Sequence, residues 1–176
     1  MTKFFTADRH FFHANLIHKF KQRQEFPDLD SMNNGMIKAN NRVVGKNDEV
    51  YDLGDFTMLR KDRITKIGPI LDRLNGTHHL ILGNHDEGKP FTYVNLGFAS
   101  VHTSLFVEEF LCVHDPSVAT LFVGSGQKIL CGHLHTAAQW INDYTLNVGV
   151  DWYNYEPLSI DRIREMFEER HKGIRK

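Results

Sequence analysis

Short turns that carry Asp, Asn or His follow several apolar strand candidates, and this recurrence constrains the chain more than any other feature. The chain has 11 histidines among 176 residues. Strands that end at one edge of an α/β sheet bring the turns behind them together, and ligands bind there. The pattern therefore indicates a metal site built from five turns: Asp8-x-His10, Gly54-Asp55, Gly83-Asn84-His85-Asp86, Val113-His114 and Gly132-His133-Leu134-His135.

Strand and helix candidates alternate in the first half of the chain, and strands dominate the second half. Apolar spacing predicts strands over 3–6, 48–53, 78–82, 104–107, 110–114, 128–131 and 145–150. Helical spacing predicts helices over 14–22, 31–44, 62–74 and 159–170, the last with Ser159 as its N-cap. This order is typical of an α/β fold with a central sheet or a pair of sheets. Since no linker or repeat is visible, we expect residues 1–176 to form one domain.

Composition excludes several classes of protein and of partner. Hydrophobic residues make up 41% and charged residues 24%, close to the globular average, which argues against disorder. A formal net charge of −1 argues against long nucleic acid as the main partner. Cys112 and Cys131 are too few for a disulfide scaffold, so we expect buried, reduced thiols and a cytoplasmic location. No signal peptide or membrane helix is visible, and no membrane partner is expected.

The donor types in the five turns point to divalent metal chemistry. In an extended segment, Asp-x-His and His-x-His place two side chains on the same side. The glycines before Asp55, Asn84 and His133 allow a sharp turn or a close backbone approach. Carboxylate, amide and imidazole donors together suit Mn, Fe, Zn or Mg better than a thiolate-seeking metal. Seven such donors exceed what one tetrahedral zinc needs, so two metals that share a carboxylate use them better.

These five segments, in this order, resemble the calcineurin-like metallophosphoesterase superfamily, in its small bacterial and phage form. The resemblance spans Asp8 to His135 and continues through Asn147-Val148-Gly149-Val150-Asp151. It implies a β-sandwich flanked by helices and a phosphoesterase with two divalent metal ions, manganese favoured. It also implies these ligands: one metal held by Asp8, His10 and His135, the other by Asn84, His114 and His133, and Asp55 bridging both.

The same resemblance implies the chemistry around the metals. A metal-activated hydroxide would attack the phosphorus of a phosphomonoester or phosphodiester, and His85 would assist the leaving group. Asp86 would orient His85 by accepting a hydrogen bond from its ring.

His13 is a candidate for contact with the substrate phosphate, or an ordinary histidine at a helix start. Arg9 is expected to face solvent, and His78 and His79 are expected at the surface or a sheet edge.

The chain departs from the superfamily pattern after Gly54-Asp55. Many phosphatases of the superfamily continue with a second acid and an Arg-Gly pair, whereas this chain continues Phe56-Thr57-Met58-Leu59-Arg60. The length leaves no room for a cap domain, so we expect an open site. These two features favour a phosphodiester, a nucleotide or another small phosphorylated substrate. The alternative is a catalytically weak or inactive protein-interaction scaffold on the same fold.

Overall fold

A computed structural model describes residues 1–174, and their strands form two five-stranded sheets. The first sheet contains β1 (Lys3–Thr6), β2 (Glu49–Asp52), β3 (Thr77–Ile81), β4 (Ser100–His102) and β10 (Leu158–Ser159), in the order β10-β1-β2-β3-β4. The second sheet contains β5 (Leu105–Val107), β6 (Phe110–Cys112), β7 (Lys128–Cys131), β8 (Trp140–Asn142) and β9 (Thr145–Asn147), in the order β5-β6-β7-β9-β8.

Four strands of the first sheet and three strands of the second run parallel, and within each sheet they end at the same edge. In the first sheet β1, β2, β3 and β4 are parallel, with Phe5 opposite Tyr51, and β10 adds an antiparallel edge. In the second sheet β6, β7 and β9 are parallel, and β5 and β8 are antiparallel edges. A parallel bridge between Ala7, which follows β1, and Gly149, which follows β9, joins the two sheets. The carboxyl ends of the parallel strands of both sheets therefore meet at one place.

Helices flank the two sheets. The α-helices are α1 (Asn15–Lys19), α2 (Leu29–Val43), α3 (Gly68–Leu71), α4 (Pro90–Asn95) and α5 (Ile160–Ile174). Single 3₁₀ segments occupy Lys21–Glu25, Ile64–Ile67, Pro116–Phe122 and Val150–Trp152. The hydroxyl of Ser159 accepts a hydrogen bond from the backbone N–H of Arg162 at 3.2 Å, which confirms the predicted N-cap of α5. Within residues 1–174, every helix is too short or too polar to span a bilayer.

One of the two large apolar cores lies between the two sheets. Leu53, which directly follows β2 of the first sheet, packs in one buried cluster with Leu130 and Leu146 of the second sheet. Phe167 of α5 closes the same cluster, and Met32 and Met36 of α2 belong to the cluster on the other face of the first sheet. These layers confirm a mixed α/β fold in which two sheets are flanked by helices. Arg175 and Lys176, the last residues of the predicted domain, lie outside the described residues.

The predicted helix over 62–74 is wrong in its length. The chain forms a 3₁₀ segment at Ile64–Ile67 and then the single turn of α3 at Gly68–Leu71. Pro69 lacks a backbone N–H and clashes with the preceding turn, so it starts a new helix instead of continuing one. The apolar spacing is still used, because Ile64, Ile67 and Leu74 are buried in one cluster.

The predicted strand over 145–150 is also too long. Pairing with β7 stops at Asn147, and the backbone N–H of Val150 donates to the carbonyl oxygen of Ala7 at 3.0 Å. The segment therefore leaves the second sheet to bond with the end of β1. The sequence reading also missed the short elements α4, β4, β8 and β10, which carry weak periodic signals.

Candidate metal centre

Three turns at the end of the first sheet carry donor side chains. Asp8 follows β1, Asp55 follows β2 and Asn84 follows β3. Asp8 and His10 have φ of 58° and 50°, so the Asp-x-His segment is a left-handed turn, and the expectation of an extended segment is wrong. His133 and His135 repeat this conformation with φ of 74° and 47°. Strained turns of this kind concentrate at functional sites, where surrounding contacts hold them.

Glycine permits the close packing of the turns. Gly54 has φ of 87°, and a Cβ there would lie 2.5 Å from Nδ1 of His114. A Cβ at Gly83 would lie 2.3 Å from the backbone nitrogen of Asp55. Side chains at either position would push the second and third turns apart, so the predicted close approach is confirmed at both glycines.

The second sheet supplies three histidines to the same edge. His114 follows β6, and His133 and His135 follow β7. The backbone N–H of His133 donates to both carboxylate oxygens of Asp8 at 3.0 Å, which ties the two sheets together. Facing strand ends therefore place all seven predicted donor residues around one depression.

The first donor group consists of Asp8, His10 and His135. One donor atom from each lies within 4.8 Å of the others. The Nε2 atoms of His10 and His135 are 3.2 Å apart, and the two rings stack with centroids 5.0 Å apart. Asp8 and His10 are almost fully buried.

The second donor group consists of Asp55, His114 and His133, with Asn84 beside them. Its three titratable donors also lie within 4.8 Å of one another. Oδ1 of Asn84 is 3.1 Å from Nε2 of His114 and 2.9 Å from Nδ1 of His133. Oδ2 of Asp55 is 3.4 Å from Nε2 of His114 and 3.5 Å from Nε2 of His10. The carboxylate of Asp55 therefore stands between the two groups.

The donor atoms of the second group converge on a position that requires positive charge. Nδ1 of His114 lies 2.8 Å from the carbonyl oxygen of Leu53, which can only accept, so this nitrogen carries a hydrogen. Nε2 of His114 faces the oxygens of Asn84 and Asp55, so either a proton on this nitrogen or a cation lies between them. The chemistry and arrangement of the donors therefore fit a divalent cation in each group.

The pKa values show the same demand for positive charge. Burial alone would lower the pKa of His114, but the hydrogen bond and charge of Asp55 outweigh it and raise that pKa to about 9. Burial opposes ionisation of Asp55, yet His114 lowers the pKa of this carboxyl to about 2. Burial raises the pKa of Asp8 to about 6 and lowers the pKa of His10 to about 2. At pH 7 the first group therefore combines an ionised Asp8 with a neutral His10, and the second holds a proton on His114 beside an ionised Asp55, so each group has a position for positive charge.

Comparison with known proteins places the chain among relatives. It is 34% identical over 173 residues to the uncharacterized protein MJ1445 of Methanocaldococcus jannaschii, a match that covers 93% of this chain and 89% of the archaeal protein. The chain belongs to the MJ1445 family. It is also 27% identical over 201 residues to the Gene 66 protein of Mycobacterium phage L5, covering 96% of this chain and 95% of the phage protein.

A solved structure shares the fold of this MJ1445-family protein. The crystal structure of AQ665, a protein of unknown function from Aquifex aeolicus, superposes with a TM-score of 0.69. The match covers 94% of this chain and 98% of that chain at 23% sequence identity, so it shows the fold alone. No protein-family model matches the chain.

A buried carboxylate orients His135 in this MJ1445-family protein. Nδ1 of His135 lies 2.9 Å from Oδ2 of Asp151. Burial opposes ionisation of Asp151, but the bonds and charges of His135 and Arg23 lower its pKa, so the carboxylate accepts and His135 donates. Nε2 of His135 is thereby left with a lone pair facing the first donor group. Carboxylates that hold a ligand histidine in this way fix its tautomer and its ring.

Arg23 holds Asp151 in place, and it was not predicted from the sequence. Its Nε donates to Asp151 at 2.7 Å, and its guanidinium also donates to the carbonyl oxygens of Asp8 and Arg9 at 2.7 and 3.1 Å. The side chain is fully buried. Arg23 therefore links the turn after β1 to Asp151. The strand-end pattern could have indicated Asp151, which follows β9, but no local signal marks an arginine in a 3₁₀ segment.

Asp151→Asn is expected to weaken metal binding by about 10- to 100-fold, the usual effect of removing a carboxylate behind a ligand histidine. The amide places a donor against either His135 or Arg23, so the ring loses its fixed tautomer. Titration with Mn²⁺ followed by calorimetry measures the change. Asp143→Asn is the matched control, since Asp143 is an exposed carboxylate paired with Arg170. Equal affinities of the Asp151→Asn variant and the natural protein would contradict the role. Unfolding in chelator separates any loss of stability.

A second buried network holds the turn after β1, and it corrects two predictions. Arg9 was expected to face solvent, but its Nε donates to Asp52 at 2.6 Å and its Nη2 donates to Asn40 at 2.8 Å. His78 was expected at the surface or a sheet edge, but it is buried on an inner strand with Nδ1 2.7 Å from Asp52. The left-handed turn redirects Arg9 towards α2, and β3 lies inside the sheet, so both side chains find buried partners.

The predicted catalytic and phosphate residues lie at the edge of the first donor group. The ring of His85 is 5.5 Å from that of His10, and the ring of His13 is 5.4 Å from that of His10. Both side chains are half-buried. Burial lowers the pKa of His13 to about 4, so this ring is neutral at pH 7. These positions leave both rings free to meet a bound molecule.

Asp86 was expected to orient the ring of His85, but its hydrogen-bond partners are backbone groups. Its carboxylate accepts hydrogen bonds from the backbone N–H groups of Gly83 at 2.9 Å and Thr57 at 3.4 Å, and within the described residues it makes none to the ring of His85. Burial raises the pKa of Asp86 to about 7. Asp86 thus shapes the turn that carries Asn84 and His85, because a tight turn leaves backbone donors without partners.

The cysteines lie in the cores rather than at the centre. Cys112 is buried between the sheets and Cys131 on the outer face of the second sheet, and both are free thiols. Burial raises the pKa of each thiol well above its usual range. The prediction that both are packing residues is confirmed.

Proposed function

We propose that the chain is a metal-dependent phosphoesterase of the calcineurin-like metallophosphoesterase superfamily with two divalent ions. The observation that carries the proposal is the position of Asp55 between two groups of converging donors. Two ions that share a carboxylate are a recurrent solution for phosphoester hydrolysis. The five ordered turns and their resemblance to the superfamily support the same assignment.

Each ion would have its own set of ligands. Asp8, His10 and His135 would hold one ion, and Asn84, His114 and His133 would hold the other, with Asp55 shared. When bound, such ions polarise phosphoryl oxygens and supply a nucleophile from water at neutral pH. Mixed oxygen and imidazole donors suit several metals, among which we favour Mn.

Side chains of the protein would position the ester and supply a proton to the leaving oxygen. Hydrolysis breaks one P–O ester bond, adds the hydroxyl of water to phosphorus and leaves a proton for the departing oxygen. An imidazole nitrogen of His85 would give that proton, since the ring stands free beside His10. Asp86 holds the backbone of this turn, and His13, whose ring is 5.4 Å from that of His10, would contact the phosphate.

The substrate class follows from charge and access. We expect an open site, and a net charge of −1 provides no general basic surface for a long nucleic acid. A phosphomonoester, phosphodiester or nucleotide of small size therefore suits the site best. The reduced, buried cysteines support a cytoplasmic location.

Removal of the metal is the decisive experiment. We expect protein treated with a chelator to lose hydrolysis of 4-nitrophenyl phosphate esters and to recover it with Mn²⁺, with two ions bound per chain. Full activity in metal-free protein would contradict the proposal. Two bound ions without hydrolysis of any mono- or diester would favour the interaction scaffold instead.

A further inference from the structure

A cavity of about 670 Å³ opens beside the second donor group, and we call it the side cavity. Its volume lies within the range of small-molecule sites, about 300–1,000 Å³. Asn84, His114 and His133 form one wall of it. The remaining walls come from residues outside the donor groups. The side cavity is therefore continuous with the candidate metal centre but chemically different from it.

The walls away from the metal centre are mainly apolar, and their polar residues are Thr103, Ser104 and Asp115. Leu111 and Val113 lie on the outer face of β6 and its extension, two residues apart, as strand geometry requires. The 3₁₀ segment Pro116–Phe122 packs over this face and contributes Val118 and Leu121 to the cavity. Phe106 of β5 stands opposite Leu111 in the sheet register. The cavity is thus a slot between a 3₁₀ segment and a sheet.

Two large apolar side chains at this slot remain in contact with water. Leu121 is 80% exposed and Phe106 is 60% exposed. Covering such side chains with an apolar ligand group is worth about 10- to 100-fold in affinity. The nearby carboxylate of Asp115 already accepts a hydrogen bond from the backbone N–H of Ser117 at 2.8 Å. An apolar group therefore suits the slot better than a polar one.

The position of the side cavity indicates which part of a substrate enters it. His85, the proposed proton donor, stands beside His10 of the first donor group. The side cavity begins at the second donor group. A leaving group near His85 would therefore lie away from the cavity. The cavity is left for an organic group that stays on phosphorus when the other ester bond breaks.

We propose that the side cavity binds the retained apolar organic group of a phosphodiester, and this proposal rests on the proposed function. The substrate is then a diester with one group expelled near His85 and one apolar, preferably aromatic, group held between Phe106 and Leu121. A phosphomonoester leaves the slot empty and gains nothing from it.

Three esters with one leaving group test the assignment. They are 4-nitrophenyl phosphate, methyl 4-nitrophenyl phosphate and phenyl 4-nitrophenyl phosphate, assayed with Mn²⁺ and corrected for their uncatalysed rates. We expect kcat/KM for the phenyl diester to exceed that for the methyl diester by about 10- to 100-fold, the value of burying a ring of this size.

Substitutions of the exposed residues of the side cavity test whether the preference for the phenyl diester arises there. Leu121→Ser and Phe106→Ser should each reduce the ratio of kcat/KM for the phenyl diester to kcat/KM for the methyl diester by about 3- to 10-fold. Val123→Ser is the matched control, because Val123 is 83% exposed, directly follows the 3₁₀ segment and lies outside the side cavity. An equal reduction in the control would overturn the assignment.

A binding measurement makes the test independent of turnover. In protein freed of metal, diphenyl phosphate should shift the NMR signals of the methyl groups of Val118 and Leu121, and dimethyl phosphate should not. Shifts confined to other methyl groups would overturn the proposal, as would equal kcat/KM for the two diesters. Self-association that Leu121→Ser abolishes, with equal kcat/KM, would assign the face to a second copy instead. Failure of all three esters to react would contradict the proposed function, whereas the methyl shifts would still report on the cavity.

Discussion

Asp55→Asn is expected to cause the largest loss among single substitutions of the donor residues. Asp55 is the residue that stands between the two groups, with Oδ2 about equally far from His10 and His114. The amide removes the negative charge and turns one donor away from both positions. We expect fewer than one ion per chain and a fall in kcat/KM of about 10³-fold or more, because several kcal/mol of charge stabilisation are lost.

The substitution is conservative for the fold, which makes the result interpretable. Asn tolerates the φ of 52° found at Asp55, and its amide oxygen can still accept the hydrogen bond from the backbone N–H of His85. Asp62→Asn is the matched control, since Asp62 is an exposed carboxylate. Metal analysis and circular dichroism on both variants check the expectation. Retention of two ions in Asp55→Asn, together with loss of both in His135→Ala, would contradict the shared role.

His85→Ala is expected to separate metal binding from chemistry. The ring of His85 approaches His10 but belongs to neither donor group, so the variant should keep two ions and the fold. For an ester with a poor leaving group, kcat should fall by about 10²- to 10⁴-fold, the usual contribution of a positioned proton donor. For a nitrophenolate leaving group the loss should be much smaller, because that group leaves without a proton.

The comparison of leaving groups distinguishes the alternatives for His85. His18→Ala is the control, because His18 is an exposed histidine away from the donor groups. Equal losses for good and poor leaving groups would assign His85 to phosphate binding and contradict proton donation. Depletion of metal in His85→Ala would place the ring among the ligands. Asp86→Asn should give a milder loss, since Asp86 acts through the backbone of the turn.

The seven donor residues could be named from the sequence because their signal is local. Each follows a short apolar strand, and parallel strands of one sheet end at one edge. The strands over 3–6 and 128–131 and the hairpin around 108–109 appear where they were predicted. The glycines before Asp55 and Asn84 allow the close approach for which they were singled out.

Partners distant in the chain could not be predicted in this way. Arg9 was predicted to face solvent because an extended segment would direct its side chain outwards. Asp8 and His10 on either side of it have positive φ, and the Arg9 side chain instead donates to Asp52 and Asn40. Arg23 reaches Asp151 across 128 positions of sequence. An isolated arginine in a polar segment carries no mark of burial, since its charge is accommodated only where a buried carboxylate happens to lie.

The sequence by itself determined the types of donors and the sheet edge to which they belong, because donor chemistry and strand ends are properties of short segments. The resemblance to the superfamily also implied how the donors divide into two groups around Asp55, and only the tertiary structure decided which buried residues hold them. It also decided that a 3₁₀ segment at Pro116–Phe122 forms a cavity beside them. These features depend on the packing of one sheet against the other, and packing joins residues that no local pattern relates.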